Sequence, residues 1–178
     1  ENLGNLYERS LRIKKLSEII AEKLDYKIER FSNYLIFSNI DLTSEVVKEY
    51  PSLQGLAGGF YAKKIGFPKD VQDAFSDQYK ISLIRKEVDL SVVLSLAQKT
   101  DSIFSFFSSK KKISGSGDPF GIRRISISLI KILTENNEYF QDVFINYAPG
   151  DNGGALGAAF VVGNINITEL FRHLFIPF

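Results

Sequence analysis

Residues 41–62 read DLTSEVVKEYPSLQGLAGGFYA, and the rest of the fold can be predicted outward from this stretch. The pattern of apolar residues in its first half predicts a helix. Pro51 ends this helix, since the residue before a proline is pushed out of the helical region. Its second half carries small residues at offsets that share one helix face, namely Gly55, Gly58, Gly59 and Ala62. Each glycine costs about 1 kcal/mol in a helix relative to alanine. We therefore expect this face to lie against the backbone of another helix, with a bound ligand as the alternative.

The sequence upstream of this stretch also predicts helices. Residues 6–24 carry apolar side chains at intervals of three and four, including Ile13, Leu16, Ile20 and Leu24. Charged side chains occupy the other faces and are expected to be solvated, namely Arg9, Arg12, Lys14, Lys15, Glu18 and Glu22. The pattern of apolar residues over 28–50 predicts one broken helix or two short ones.

Downstream, glycine and proline mark the helix boundaries. Gly66 is expected to end the glycine-rich helix, and Pro68 to begin the next helix at its first position. A long helix is predicted near residues 89–107. Another is expected to begin at Asp118-Pro119, as an N-cap followed by a first-turn proline, and to end at about Asn136. Its inward-facing side chains would be Ile122, Ile125, Leu129 and Leu133.

The residue composition of the sequence changes after residue 137. Residues 143–147 are strand-forming and are followed by turn-forming glycine, proline and asparagine residues. We predict a mostly α protein, with a helical bundle over residues 1–137 and a short irregular or α/β tail. Within that tail, residues 138–163 are unassigned and have the character of an insertion or fusion, and residues 164–178 would resume a helix.

Composition limits the kinds of chemistry that the chain can perform. The 178 residues carry a formal net charge of +1, no cysteine, no methionine and one histidine. Cysteine-based chemistry is therefore excluded. No apolar stretch is long enough for a membrane span, and the N-terminal sequence does not resemble a signal peptide, so we expect a cytosolic protein. The missing methionine and the apolar final residues suggest a piece of a longer chain.

Convergent catalytic groups are not evident in the sequence. The single histidine, His173, lies near the end, so metal sites built on two histidines cannot form. The stretch Ser114 to Asp118 is rich in glycine and precedes a predicted helix, where backbone N–H groups favour anions. It lacks the lysine of a phosphate-binding loop. We predict no catalytic residue and no metal site in this chain.

Three stretches carry a resemblance to a known family. They are LGNLYER at residues 3–9 with Arg-Ile after it, the stretch 41–62 quoted above, and KTDSIFSFF at 99–107 with SGSGDPFGIRR at 114–124. In order and spacing they resemble the beta subunit of bacterial glycyl-tRNA synthetase. The resemblance covers residues 1–137.

The resemblance implies a helical bundle of the HD type, named for a histidine-aspartate metal site. It also implies that the metal chemistry is lost. The sequence reads Asn39-Ile40-Asp41 where the histidine of the motif is missing, and Ala97-Gln98 where an alanine-aspartate pair is usual. Gly59 stands where the family usually has arginine, which puts any contact of that arginine in doubt.

The resemblance also implies a function, which we state as an expectation. The alpha subunit would carry the active site and use ATP and magnesium, whereas the beta subunit would bind and position tRNA(Gly). This chain is then expected to bind no cofactor itself and to have the alpha subunit and tRNA(Gly) as partners. The alternatives are a purely structural, subunit-interaction module and a degenerate HD-type phosphohydrolase.

Basic residues in and after the glycine-rich loop are the candidate tRNA contacts. Lysine can follow a phosphate backbone without fixed geometry, and arginine adds bidentate binding. These candidates are Lys110, Lys111, Lys112, Arg123 and Arg124. Two alternatives stay open: a merely solvated loop for the lysines, and an internal ion pair of Arg124 with Asp101 or Asp118.

Overall fold

The computed structural model describes residues 4–108 and 121–136, and these two ranges are entirely helical apart from turns and loops. They contain seven α-helices and three short 3-10 helices, and no strand. The α-helices are α1 (Leu6–Lys23), α2 (Glu29–Ser32), α3 (Glu45–Glu49), α4 (Leu56–Lys64), α5 (Lys69–Asp77), α6 (Leu90–Ser108) and α7 (Ile122–Glu135). The mostly α class predicted from the sequence is confirmed.

Helix α1 begins at a capping box, in which Asn5 and Glu8 satisfy each other's backbone N–H groups. The Glu8 N–H donates to Asn5 Oδ1 over 3.0 Å, and the Asn5 N–H donates to Glu8 Oε2 over 2.7 Å. The predicted apolar stripe is buried, since Ile13 and Leu16 are at most 1% exposed. This stripe attaches α1 to the rest of the bundle.

Helix α6 lies at the centre of the bundle and packs against α1, α5 and α7. Every side chain from Leu90 to Lys99 is buried. The side chains around it form one continuous core, which includes Ile13, Leu35, Phe75, Ile103 and Leu133. Asp89 caps the start of the helix by accepting the Val92 N–H over 2.9 Å. Polar residues on α6 must therefore find partners inside the protein.

The segment predicted as a broken helix is indeed broken. It consists of α2, two 3-10 helices (Leu35–Phe37 and Ile40–Thr43) and α3. Ser44 caps α3 by accepting the Val47 N–H over 3.2 Å. The helix ends at Glu49, two residues before Pro51, as the sequence predicts.

The glycine face packs against α5, but its members differ from the prediction. Gly55 is the residue before α4 and has a φ of +85°, so it belongs to a turn rather than to the helix face. Gly59 makes the closest approach, since a Cβ there would lie 1.8 Å from Ser76 Oγ and 2.7 Å from the Gln72 carbonyl oxygen. A Cβ at Gly58 would meet its nearest atoms at 3.6 Å, an ordinary contact.

The second half of the bundle ends with α7. Ile122, Leu129 and Leu133 are buried and Ile125 is partly buried, as predicted. The predicted start at Asp118-Pro119, the basic loop and the whole tail from residue 137 lie outside the described residues. The boundaries at 137 and 163 therefore stay a prediction. No helix within the described ranges is both long and apolar enough to cross a membrane.

We expect Gly59→Ala to lower the free energy of unfolding by about 1–3 kcal/mol, because the added methyl group would force apart α4 and the backbone of α5. Gly58→Ala is the matched control. It should be neutral or stabilising by up to about 1 kcal/mol, since alanine favours the helix and has room. Urea unfolding of both variants measures this, and equal effects at the two positions would contradict the proposed contact.

Candidate functional site

Three buried amide side chains meet at the centre of the bundle, and we call them the amide cluster: Asn39, Gln78 and Gln98. Gln98 Nε2, on α6, donates to Asn39 Oδ1 over 2.9 Å and lies 2.7 Å from Gln78 Oε1. Gln78 Nε2 donates in turn to the Ser38 carbonyl oxygen over 2.7 Å. The cluster thereby joins α6, the end of α5 and the 3-10 segment.

The remaining polar atoms of Asn39 are also used. Its Nδ2 donates to Ser10 Oγ of α1 over 3.1 Å, and its Oδ1 accepts a second hydrogen bond from the Tyr79 hydroxyl over 3.1 Å. An amide oxygen has two lone pairs, so Asn39 Oδ1 has none left for a ligand. Burial raises the pKa of Tyr79, which keeps its hydroxyl a donor.

The two places where the resemblance indicates lost metal ligands are therefore neighbours. Asn39 belongs to the stretch 39–41, in which the histidine is missing, and Gln98 stands where a carboxylate is usual. The fold hydrogen-bonds these two side chains to each other. Amides bind a divalent cation less well than histidine or carboxylate. Residues 4–108 and 121–136 contain no group of three histidine, cysteine or acidic residues that could hold a metal ion.

Asp41 is buried next to this cluster and makes a different contact. Its Oδ2 accepts the Gly55 N–H over 2.8 Å, whereas its Oδ1 has no hydrogen-bond partner. Burial raises the pKa of this carboxyl group. Asp41 therefore fastens the positive-φ turn at Gly55 that begins α4.

A second polar cluster lies between α1 and α6. Arg12 Nε donates to Asp101 Oδ1 over 2.7 Å, and Arg9 Nε lies 3.3 Å from Asp101 Oδ2. Arg9 Nη2 also donates to Ser102 Oγ over 3.0 Å. The expectation that Arg9 and Arg12 belong to a solvated face of α1 is thus wrong, because they reach inward to neutralise a carboxylate that is 1% exposed.

Lys99 is a buried cation on the same helix. Its Nζ donates to Ser95 Oγ over 2.6 Å and to the Gln78 carbonyl oxygen over 3.0 Å. Burial lowers the pKa of Lys99 to about 8. Neither partner carries a negative charge, which is why burial dominates the shift.

A groove of about 790 Å³ runs alongside these side chains, between α1, α6 and α7. Arg9, Arg12, Lys99 and Arg124 all line it, with Asp101 as the acidic side chain among the lining residues. We call it the basic groove.

The predicted tRNA contacts are only partly placed by the structure. Arg124 is exposed and lines the basic groove. Arg123 is half-buried on the same helix. Lys110, Lys111 and Lys112 lie outside the described residues. Asp101, considered from the sequence as a partner of Arg124, is bound by Arg9 and Arg12 instead.

Comparison with known proteins identifies the family. A sequence model of the glycyl-tRNA synthetase beta subunit matches residues 1–144. A glycine–tRNA ligase beta subunit of Thermodesulfovibrio yellowstonii is 39% identical over 137 residues, which is 75% of this chain and 20% of the relative. One from Aquifex aeolicus is 34% identical over 150 residues, or 80% and 23% of the two chains.

The chain belongs to the glycyl-tRNA synthetase beta subunit family. It spans about a fifth of the length of these curated relatives, since the aligned part covers 20% of one and 23% of the other. The family match ends at residue 144, a short way past the boundary predicted at residue 137.

In this member of the beta subunit family, two features of the candidate site were not predicted from the sequence. One is the bonding of Gln78 and Tyr79 to the other two amides of the cluster. The other is the ion pairing of Arg9 and Arg12 with Asp101. The sequence contained an indication of these contacts for the arginines only. Arg12 directly precedes the first core position, Ile13, so part of its side chain is carried toward the buried face of α1.

We expect Lys99→Met to change stability in a pH-dependent way. Between about pH 8, the pKa of folded Lys99, and the ordinary lysine pKa of about 10.4, the unfolded chain binds more protons. The parent therefore gains stability as pH rises through this window. Below about pH 8 the parent bears the cost of a buried charge, on the order of 3 kcal/mol.

The advantage of the methionine variant over the parent should accordingly be largest at neutral pH and should shrink as pH rises to about 10. Urea unfolding of both proteins at several pH values measures it. A difference between them that stays constant across this range would contradict a depressed pKa at Lys99.

Proposed function

We propose that the chain is a non-catalytic helical module of a glycine–tRNA ligase, which positions tRNA(Gly) while a partner alpha subunit performs the chemistry. Membership of the beta subunit family supports this role. ATP and magnesium would be used by the alpha subunit, and this module would bind neither. The cytosolic location expected from the sequence stays a prediction.

The hydrogen bond between Gln98 and Asn39 is the observation that carries the non-catalytic part of the proposal. The resemblance to a bundle of the HD type implies lost metal ligands at position 98 and within the stretch 39–41 that contains Asn39. Here the polar atoms of each amide are hydrogen-bonded to the other amide and to neighbouring side chains. This geometry fits a degenerate phosphohydrolase, whose metal ligands have been lost, better than an active one.

Positioning of tRNA would depend on charge rather than on base recognition. Arg124 is exposed at the basic groove, and Arg123 lies beside it in the chain. The sequence adds Lys110, Lys111 and Lys112 shortly before them. Contacts of lysine and arginine with phosphate are independent of nucleotide sequence and weaken as salt rises.

A structural, subunit-interaction module is the second candidate, favoured by one surface feature. Four large apolar side chains are exposed at the end of α3 and along α4, and we call them the apolar patch: Tyr50, Leu53, Leu56 and Phe60. Their exposed fractions run from 37% to 57%. Clustered exposed apolar residues are typical of surfaces that contact another protein.

We expect replacement of Lys110, Lys111 and Lys112 by alanine to raise the Michaelis constant for tRNA in the assembled ligase. The salt dependence of that constant should also become shallower, because fewer counterions are released on binding. Aminoacylation assays over a series of salt concentrations measure both effects.

The matched control replaces three exposed lysines elsewhere, Lys23, Lys27 and Lys48. It makes the same change in net charge and should leave the Michaelis constant and its salt slope closer to those of the parent. If the two triple variants behave alike, the loop lysines are not an RNA contact, and the subunit-interaction role becomes the better candidate.

We also expect the 178-residue chain to retain no stoichiometric manganese or zinc after dialysis and to hydrolyse no nucleotide. The physical reason is that Asn39 and Gln98 offer amides that are already hydrogen-bonded to each other. Metal analysis together with a phosphatase assay tests this. Bound metal accompanied by phosphatase activity would overturn the non-catalytic assignment.

A further inference from the structure

The basic groove has an unusual balance of charge. Among the described residues that line it, four side chains are cationic and one, Asp101, is acidic. That carboxylate is already shared by Arg9 and Arg12. The chain as a whole is close to neutral, with a net charge of +1. Positive charge is therefore concentrated in this concave site, where low-dielectric walls strengthen its attraction for an anion.

Two of the four cations have no acidic partner among residues 4–108 and 121–136. Lys99 Nζ is hydrogen-bonded to a hydroxyl and to a backbone carbonyl, both neutral. Arg124 is exposed, and no ion pair joins it to a carboxylate of the described residues. Burial without a counter-charge is costly for Lys99, and an anionic ligand nearby would offset that cost.

Two buried polar atoms in the wall of the groove also lack hydrogen-bond partners. Arg9 Nε is within ion-pair distance of Asp101 but makes no hydrogen bond, and Ser105 Oγ has no partner. Both residues line the groove. Because buried polar groups are nearly always hydrogen-bonded in folded proteins, these two atoms mark a part of the wall whose hydrogen-bonding capacity is not fully used.

The rest of the wall indicates what else the ligand contains. Apolar side chains of α6 and α7, namely Phe106, Ile122 and Ile125, form one part of the lining. The amides of Gln54 and Gln98 form another. Apolar walls with a few polar groups that fix orientation are typical of small-molecule sites, and the volume of about 790 Å³ lies within their usual range. A simple inorganic anion would make no contact with most of this wall.

We propose that the basic groove binds a nucleoside monophosphate unit, with Arg124 contacting the phosphate and the apolar wall contacting the base. The nucleotide is either free or part of a single-stranded RNA, since both offer the same phosphate and the same flat base. Binding involves no covalent step. This role goes beyond a general attraction of tRNA to surface cations, because it requires the groove rather than the lysine loop.

Calorimetric titration of the 178-residue chain tests the proposal, with the four nucleoside 5′-monophosphates, the corresponding nucleosides and inorganic phosphate as probes. We expect at least one monophosphate to bind saturably, and to bind more tightly than its nucleoside and than phosphate alone. Arg124→Gln should raise the dissociation constant of that monophosphate by about tenfold or more, the loss expected for one charged hydrogen bond.

Arg30→Gln is the matched control, because Arg30 is a highly exposed arginine that does not line the groove. It should leave the dissociation constant unchanged. Both substitutions are at exposed positions, so the variants should fold, and their circular dichroism spectra verify this. Equal affinities in the parent and Arg124→Gln, equal affinities for inorganic phosphate and nucleotide, or no saturable binding of any monophosphate would each overturn the proposal.

A short single-stranded oligoribonucleotide distinguishes the two sources of the ligand. Tighter binding of the oligoribonucleotide than of the monophosphate identifies RNA as the source, and the reverse order identifies a free nucleotide. The alanine replacement of Lys110, Lys111 and Lys112 changes none of the described lining residues of the groove. Failure of nucleotide binding and failure of tRNA positioning can therefore be told apart.

Discussion

Burial of α6 is the constraint on which the rest of this structure depends. The helix is buried along its whole first half, yet it carries Ser95, Gln98 and Lys99 there and Asp101 one turn later. A buried polar group without a partner costs about 1–3 kcal/mol, and more if it is charged. The neighbouring segments must therefore present matching groups. Asn39 and Gln78 do so for Gln98, and the two arginines of α1 do so for Asp101.

The same constraint determines the polar contacts at the centre of the bundle. Hydrogen bonds of the amide cluster hold α1, the 3-10 segment, α5 and α6 in register. Both lone pairs of Asn39 Oδ1 are used in these contacts. Gln98 both donates to its amide neighbours and accepts from Arg9 Nη2 over 3.3 Å, which a carboxylate, having no donor, could not do. The amide cluster is thus part of the structural framework. Asp41 serves in the same way, since its one hydrogen-bonded oxygen holds the turn that starts α4.

The surfaces left over by this framework are those available for function. On one side, α1, α6 and α7 enclose the basic groove, whose described lining residues include four cations and one carboxylate. At α3 and α4, the apolar patch is exposed. The two surfaces have different chemistry, one suited to phosphate and the other to apolar contact with a protein. The two proposed roles, binding of nucleic acid and contact with another subunit, would each use one of these surfaces.

The sequence by itself determined the helices, the order of their boundaries and the family, because apolar periodicity, prolines and glycines act locally. Through the resemblance, it also identified the stretch 39–41 and position 98 as places where metal ligands are lost. Only the tertiary structure decided that Asn39 and Gln98 touch, that Gly59 rather than Gly58 makes the closest helix contact, and that Arg9 and Arg12 point inward. Each of these depends on how segments distant in sequence are oriented against α6. Local periodicity shows that a face is buried, but it does not show which side chain of another helix will lie opposite it.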